Sequence, residues 1–433
     1  MDILERLLQH ADQAEVMTTE SETTTVRFQA NQPKGSEVEE TRGIALRVIK
    51  DGRLGFAATS DMTEVEKTIK NAVASAAFGD EVGIEFPDAQ PGPEVKTYDG
   101  TIVELPVRKL VDIGREIIAL ITETDSDALV DVRLERGVER RIVRNHAGAD
   151  VDVARTPFSL LIEVTRVKGD DVLIMFNLSG STVWEEDALT SARQLAERLR
   201  LAQRTATMVS GKMPVLFSPT GALVLGLPLM VGLNGRNVYK GVSPLADRLG
   251  EHLVDDAFSL IDDPTLDGRF GSASHDGEGV AHRRTPLIEN GTLKSFYYDL
   301  KTAAQAGAEP TGNGERSLFS PPRPSPTNLV VEPGATSIAD IIAGIERGLL
   351  VDNVLGLGQG NVISGAFSNP VSLGFKIENG EIVGRVKDLS IAGNIYEVLG
   401  TIAAISKESA WVYNNFRLPY ILLPELNVVA KTQ

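Results

Sequence analysis

The sequence predicts an α+β protein, with helices packed on antiparallel sheets in the N-terminal half and a β-rich C-terminal domain that contains inserted helices. Two N-terminal segments each show a helix, a group of strands and a second helix. Beyond Gly211 the chain becomes dense in Gly, Asp, Asn and Pro, with short apolar runs between turns. A chain of 433 residues exceeds the size of one hydrophobic core. We therefore expect three domains, over residues 1–90, 91–210 and 211–433.

The first segment begins with a predicted amphipathic helix, because apolar residues recur three and four positions apart from Ile3 to Ala11. Period-two alternation then predicts strands as far as Val48, and the Asp51-Gly52 pair predicts a hairpin turn. A second helix is predicted between an N-cap at Asp61 and a stop at Gly79.

The second segment follows a linker rich in Pro and Gly over residues 80–100. Pro106 is typical of a first helical turn, and apolar residues at helical spacing follow it. Strict alternation from Phe158 to Val164 predicts a strand, and a helix is predicted from Glu185 to Arg204. The segment thus has the same layout as the first, without a sequence repeat.

The third segment contains two copies of an Ile-Glu-Asn-Gly sequence, at Ile288 to Gly291 and at Ile377 to Gly380. Asn-Gly pairs favour two-residue hairpins, so this segment is predicted to be β-rich. Helices are predicted to interrupt it from Pro219 to Met230 and from Ile338 to Gly348.

Composition excludes several classes of function. With 43 Lys and Arg against 60 Asp and Glu, the formal charge of -17 disfavours nucleic acid as a partner. Cys is absent, so the chain has no thiolate nucleophile and no Cys metal ligand. Acids at Met1 to Arg6 are unlike a signal peptide, and the longest apolar stretch, Ala222 to Leu233, is broken by Pro228. We expect a cytoplasmic protein without a membrane partner.

Two polar clusters in the third segment are candidates for chemistry. Asp262 to Pro264 and Phe270 to Gly279 bring acids and one imidazole into Gly-rich loops, which could bind a metal or support acid–base catalysis. Asp, Gly and Ser are also ordinary turn residues that bond to their own backbone, and this interpretation is the stronger one. His275 and His282 are seven residues apart, a spacing that matches neither one strand face nor adjacent helical turns. They are therefore not predicted to form a metal pair.

A series of short motifs runs in order through the third segment. They are Asp262 to Pro264, Asp276 to Val280, Arg284 to Gly291, Asp299 with Thr302 and Ala303, Thr311 to Asn313, Pro326 to Leu329, and Ile391 to Asn394. Together they resemble the TldD/PmbA family, and the stretch from Thr41 to Ala57 is similar to that family's first domain. The resemblance implies a barrel-like C-terminal domain.

The resemblance also concerns a zinc site. Catalytic TldD-type members resemble zinc metallopeptidases that carry a His-Glu-x-x-x-His helix and a late Cys. The matching positions here are Leu225, Gly226 and Met230, and no Cys is present. The resemblance therefore implies no catalytic residues and no metal on this chain, with zinc expected on a TldD-type partner.

On this resemblance the chain is a non-catalytic TldE/PmbA-type subunit, which pairs in a heterodimer with a TldD-like zinc subunit and helps form a channel for unfolded or precursor peptides. Candidate residues for binding the peptide substrate or the partner are His275, Asp276, Glu278, Thr311, Gly312 and Asn313. One alternative is an independent hydrolase that uses His275, Asp276 and Glu278, as a homodimer when alone. Another is a protein-binding factor that modulates gyrase or a toxin–antitoxin pair, since the family is historically named for gyrase modulation.

Overall fold

The computed structural model describes residues 2–185 and 187–430, as an N-terminal sheet that carries helices and a C-terminal β-barrel. The helices are α1 (Ile3–Leu8), α2 (Val65–Ser75), α3 (Gly100–Glu104), α4 (Val107–Thr124), α5 (Thr190–Ala202), α6 (Leu223–Gly232), α7 (Gly235–Tyr239), α8 (Leu300–Ala306), α9 (Ile338–Ala343) and α10 (Ile395–Val398). Short 3-10 turns cover Met62–Glu64, Ala76–Phe78 and Val362–Ser364.

The strands fall into an N-terminal and a C-terminal group. The N-terminal strands are β1 (Gln13–Gln29), β2 (Gln32–Lys50), β3 (Arg53–Thr59), β4 (Ala128–Asn145), β5 (Asp150–Arg155), β6 (Phe158–Lys168) and β7 (Asp171–Ser181). The C-terminal strands are β8 (Gly211–Phe217), β9 (Leu260–Asp262), β10 (Thr285–Glu289), β11 (Thr292–Leu293), β12 (Gly314–Glu315), β13 (Arg323–Pro324), β14 (Leu329–Val331), β15 (Arg347–Val354), β16 (Ala366–Glu378), β17 (Glu381–Val386), β18 (Leu389–Asn394), β19 (Ala404–Val412) and β20 (Phe416–Ala430).

The predicted α+β class is confirmed, and the N-terminal strands form one antiparallel sheet. Its order is β3-β2-β1-β4-β6-β7, with β5 paired to β4. The long β1 joins the first two sequence segments, because it pairs with β2 on one side and with β4 on the other. Segments 1–90 and 91–210 therefore share a sheet, and their division into two domains stays a prediction.

The predicted two-residue turns are confirmed. Asp51 and Gly52 have φ of 50° and 73° between β2 and β3, and Asn379 and Gly380 have φ of 51° and 79° between β16 and β17. Left-handed values at both central residues match the twist of paired strands, and Asn, Asp and Gly adopt them at low cost.

Helices pack on the N-terminal sheet at both of its ends. Helices α1 and α2 pack on one end of the sheet through a core that includes Leu7 and Ile69. Helices α4 and α5 pack on the other end, and their apolar stripe shares a core with barrel residues Leu350 and Phe375. The amphipathic pattern around Leu110 thus reports a helix between two layers.

The C-terminal sheet closes into a five-stranded barrel. Strands β8, β15, β16, β18 and β20 pair in that order, and β20 returns to pair with β8. Strands β14, β9, β10 and β11 continue the sheet from β20. Helix α6 packs into the main barrel core through Val224, Leu225 and Leu229.

Two helix predictions need correction. The helix predicted from Ile338 to Gly348 ends at Ala343, and β15 begins at Arg347. The apolar run that follows Arg347 pairs with both β8 and β16 inside the barrel. These long-range pairings make the run a strand, and they override the local Arg347-Gly348 signal for the end of a helix. The helix predicted from Glu185 begins only at Thr190.

Within the described ranges, no helix is both long enough and apolar enough to cross a membrane.

Candidate functional site

The sequence motifs of the third segment meet the N-terminal sheet at a buried junction. A small core there includes Met17 of β1, Ala45 of β2 and Val143 of β4, with Ala273 and Leu318 from C-terminal loops. This junction uses the sheet face opposite α1 and α2, because Ala14 and Val16 of β1 pack in their core and Met17 does not.

Asp276 organises the loop that carries the predicted acids. Its Oδ1 accepts hydrogen bonds from the backbone amides of Glu278 at 2.8 Å and Val280 at 3.0 Å, and its Oδ2 accepts one from Gly314 at 2.8 Å. Burial raises the pKa of the Asp276 carboxyl to about 7, with a further contribution from Glu278. Both carboxylate oxygens of Asp276 are thus occupied by hydrogen bonds from backbone amides.

Glu278 is buried between the sheet and α8. Its Oε2 accepts from the Leu300 amide at 2.7 Å and its Oε1 from Arg47 Nη1 at 2.5 Å. Burial raises the pKa of Glu278, and the Arg47 guanidinium opposes that rise. Since donors face both oxygens, the arrangement fits the ionised carboxylate. A Cβ on Gly314 would lie 2.2 Å from Oε2, which explains glycine at that position.

Arg47 connects Glu278 to the sheet through a buried ion network. Arg47 donates to Glu15 from Nε at 3.0 Å and from Nη2 at 2.6 Å, and these residues are register partners on β2 and β1. Arg316 Nη1 lies 2.6 Å from Glu15 Oε1, with both side chains fully buried. Burial would raise the pKa of Glu15, but Arg316 and Arg47 lower it below its usual value. Two carboxylates and two guanidiniums therefore lie together in the interior.

Asp262 forms a second polar centre with the Thr311 to Asn313 motif. Its Oδ1 accepts from the amide and the hydroxyl of Thr327 at 2.7 and 2.8 Å, and its Oδ2 accepts from Asn313 Nδ2 at 2.6 Å. The Thr311 hydroxyl donates to Asn313 Oδ1 at 2.6 Å. Gly312 supplies the left-handed turn between them, with φ of +75°. Burial raises the pKa of Asp262 to about 6.

The two histidines of the loop differ in environment. The His275 ring nitrogens contact the Gln90 carbonyl at 2.9 Å and the Ser274 hydroxyl at 3.0 Å. His282 is 8% exposed, and its Nδ1 has no hydrogen-bond partner among the residues described. Burial lowers the pKa of His282 to about 3, so the ring is neutral at physiological pH.

Two cavities open at the junction. The first, called here the polar pocket, has a volume of about 280 Å³ and is lined by residues that include Asp276, Gly312 and Asn313. The second, called here the basic cleft, has about 560 Å³ and includes Glu278 and Lys301. His275 and Thr311 line neither cavity. The six predicted residues therefore form a buried framework whose members reach two separate cavities.

Helix α6 tests whether the chain fits a zinc ion. Leu225 is buried, and a side chain at Gly226 would point towards the Phe416 ring, 4.0 Å from its Cβ position. At Met230 the backbone carbonyl accepts from the Tyr297 hydroxyl at 2.6 Å. Residues 2–185 and 187–430 contain no group of three or more His, Cys, Asp or Glu side chains that could hold a metal. The donor set does not fit zinc.

Sequence reasoning missed the arginines of this site. Arg47 stands in a strand between Leu46 and Val48, which the alternating pattern places inward, and alternation alone puts Arg47 on the opposite face. It is 2% exposed. The available signal was the pairing of an acid and a base, Glu15 and Arg47, inside two otherwise apolar strand segments.

Comparison with protein families gives two matches. Residues 210–430 match the PmbA/TldA metallopeptidase C-terminal domain, and residues 14–76 match PmbA/TldA metallopeptidase domain 1. The C-terminal match spans the barrel and both polar centres.

Individual proteins are similar over most of their length. The chain is 32% identical to the Methanocaldococcus jannaschii protein MJ0231 over 82% of each chain. It is 26% identical to a Methanothermobacter thermautotrophicus protein named a metalloprotease, covering 94% of this chain and 90% of the relative.

Solved structures share the whole fold. TldE from Thermococcus kodakarensis superposes with a TM-score of 0.91 at 27% identity, covering 99% of both chains. TM0727 from Thermotoga maritima, named a candidate modulator of a DNA gyrase, gives a TM-score of 0.88 at 26% identity, again over 99% of both chains.

Proposed function

The chain belongs to the PmbA/TldD family, and from this premise we propose that it is a non-catalytic TldE/PmbA-type subunit. It pairs with a zinc-bearing TldD-type chain in a peptidase that trims unfolded or precursor peptides. In this assembly zinc and the activated water belong to the partner, and this chain completes the channel through which the peptide passes.

The observation that carries the proposal is the apolar character of α6. The positions that match the zinc motif hold Leu225, Gly226 and Met230, and the helix is packed into the barrel core. Hydrocarbon, hydrogen and thioether groups cannot replace the imidazole ligands and the carboxylate base of a zinc peptidase. The similarity to TldE from Thermococcus kodakarensis supports the same assignment.

The independent-hydrolase alternative finds little support in the geometry. Asp276 uses both oxygens on backbone amides, and both ring nitrogens of His275 have partners. Glu278 faces the basic cleft while Asp276 faces the polar pocket. A general base must reach its substrate within hydrogen-bond distance, and these three groups do not converge on one reacting atom.

Co-expression with a TldD-like chain tests the proposal. Size-exclusion chromatography is expected to give a mixed dimer, and elemental analysis to find zinc in the mixed dimer and in the partner alone. Cleavage of an unfolded peptide should require the mixed dimer. The isolated chain, as a homodimer or a monomer, is the control. The proposal would be wrong if the isolated chain bound one zinc per protomer and cleaved the peptide.

A further inference from the structure

We propose that the polar pocket is a binding site for a carboxylate group, held by Arg155 and Arg141 with the buried ring of His282. The pocket is built from this chain alone, so the proposal stands whether or not a zinc-bearing partner exists. It lies where β4 and β5 of the N-terminal sheet face the C-terminal loops.

The first observation is an arginine without a counter-ion. Arg155 Nη2 donates to the Phe270 carbonyl, while its Nε is buried without a partner. No carboxylate oxygen in the described chain lies within 4.0 Å of this guanidinium, although Glu139 and Glu315 line the same pocket. Burial lowers the pKa of Arg155, as expected for a cation that lacks compensation.

A second arginine faces the same space. Arg141 on β4 is opposite Val153 on β5, so Arg155, two residues further along, is its diagonal neighbour on the same sheet face. Arg141 makes a long contact of 3.4 Å to Glu315, whose side chain is 56% exposed. Two adjacent guanidiniums with one weak acidic partner favour an anionic ligand.

The third observation is independent of the arginines. His282 lines the pocket, is 8% exposed, and has an Nδ1 with no partner among residues 2–185 and 187–430. A buried polar atom without a partner is uncommon and requires an explanation. A neutral imidazole can donate one hydrogen bond to an anion without adding charge.

The remaining wall residues favour a carboxylate over a phosphate. Glu139, Asp276 and Glu315 also line the pocket, and they would repel a dianion more strongly than a monoanion. Asp276 already accepts hydrogen bonds from three backbone amides, and it forms no ion pair with Arg141 or Arg155. A planar carboxylate matches the fork of a guanidinium, and a volume of about 280 Å³ suits an anionic group with the residue that bears it.

Isothermal titration of the full chain tests the proposal with four probes. They are acetyl-Ala-Ala with a free carboxyl, the same peptide as a carboxamide, acetyl-Ala-Asp-amide, and inorganic phosphate. The free acid should bind about tenfold or more tightly than the carboxamide, and phosphate should be weaker than the acid. Acetyl-Ala-Asp-amide carries its carboxylate on a side chain. If it binds as tightly as the free acid, the pocket accepts a side-chain carboxylate, and if it binds more weakly, the pocket prefers a chain terminus.

Arg155→Gln should weaken binding of the free acid about tenfold or more, and Arg141→Gln should also weaken it. The matched control is Arg140→Gln, since Arg140 is the neighbouring residue on β4, is 55% exposed and pairs with Asp152. Circular dichroism checks that each variant is folded. Equal binding of acid and carboxamide by the unmodified chain, or no binding of either, overturns the proposal even if the variants fail to fold. Unchanged binding in folded Arg155→Gln overturns it as well.

Discussion

The guanidinium of Arg47 joins the N-terminal sheet to the C-terminal domain by donating to Glu278 Oε1 at 2.5 Å. Arg47 comes from β2, while Glu278 belongs to a loop that also caps α8 through Leu300. The same arginine lies 5.0 Å from the centroid of the Phe86 ring. The Arg47 side chain thus contacts three parts of the chain at once: the N-terminal sheet, the segment after α2 and the loop that contains Glu278.

Arg47→Met should destabilise the protein by about 3–5 kcal/mol, because it leaves Glu15 and Glu278 buried without their shared cation. Urea denaturation followed by circular dichroism measures the loss. Arg27→Met is the control, since Arg27 pairs with Glu37 at the surface with side chains 52% and 58% exposed. That variant should change stability by less than about 1 kcal/mol. Equal effects of the two variants would show that the buried network does not stabilise the junction.

Gly314→Ala should cost about 2–4 kcal/mol, because the new methyl group would lie 2.2 Å from Glu278 Oε2 and displace that carboxylate from the Leu300 amide. Gly83→Ala is the matched control, since a Cβ there meets no atom within 4 Å. It should change stability by less than about 1 kcal/mol. Thermal unfolding of both variants measures the difference, and a neutral Gly314→Ala would contradict the close approach.

Asp262 predicts a pH dependence of stability with a defined sign. Its folded pKa of about 6 lies above the ordinary value of 3.8 for an aspartate, so its contribution is fully present below about pH 4 and is lost as pH rises through about 6. The total change is about 3 kcal/mol, of which about 1–2 kcal/mol falls between pH 5 and pH 7. The stability of the unmodified chain minus that of Asp262→Asn should therefore be smaller at pH 7 than at pH 5. Urea midpoints across this range measure it, and a difference that grows with pH would contradict the raised pKa.

Local sequence signals predicted the strands and turns well, because their causes are local. Asp51-Gly52 and Asn379-Gly380 adopt the left-handed values that a two-residue hairpin requires, and period two reports one buried face. The partners of the strands could not be predicted in the same way. The pairing of β1 with β4 joins residues separated by two strands, the linker and the three helices α2, α3 and α4, and no local pattern specifies such a contact.

The site was harder to predict than the fold because it depends on burial of a second sheet face. Of the six residues from Ile44 to Ile49, only Arg47 is not apolar, and all six are buried. Alternation indicates which residues share a face, but it does not reveal that C-terminal loops cover the other face. The motifs around Asp276 and Asn313 were found through the family resemblance, and their hydrogen-bond partners required the structure.

Leu225→His tests whether α6 is a core helix that cannot bind zinc. Leu225 is 1% exposed in the barrel core, so an imidazole there should cost about 2–4 kcal/mol through lost packing and an unpaired polar ring. Leu249→His is the control, since Leu249 is 58% exposed, and it should have little effect. Zinc should not restore the thermal midpoint of Leu225→His, and EDTA should not change that of the unmodified chain, because Gly226 and Met230 supply no further ligand. A zinc-dependent rise in the midpoint of Leu225→His alone would reveal ligands within reach of α6 and would contradict this account of the helix.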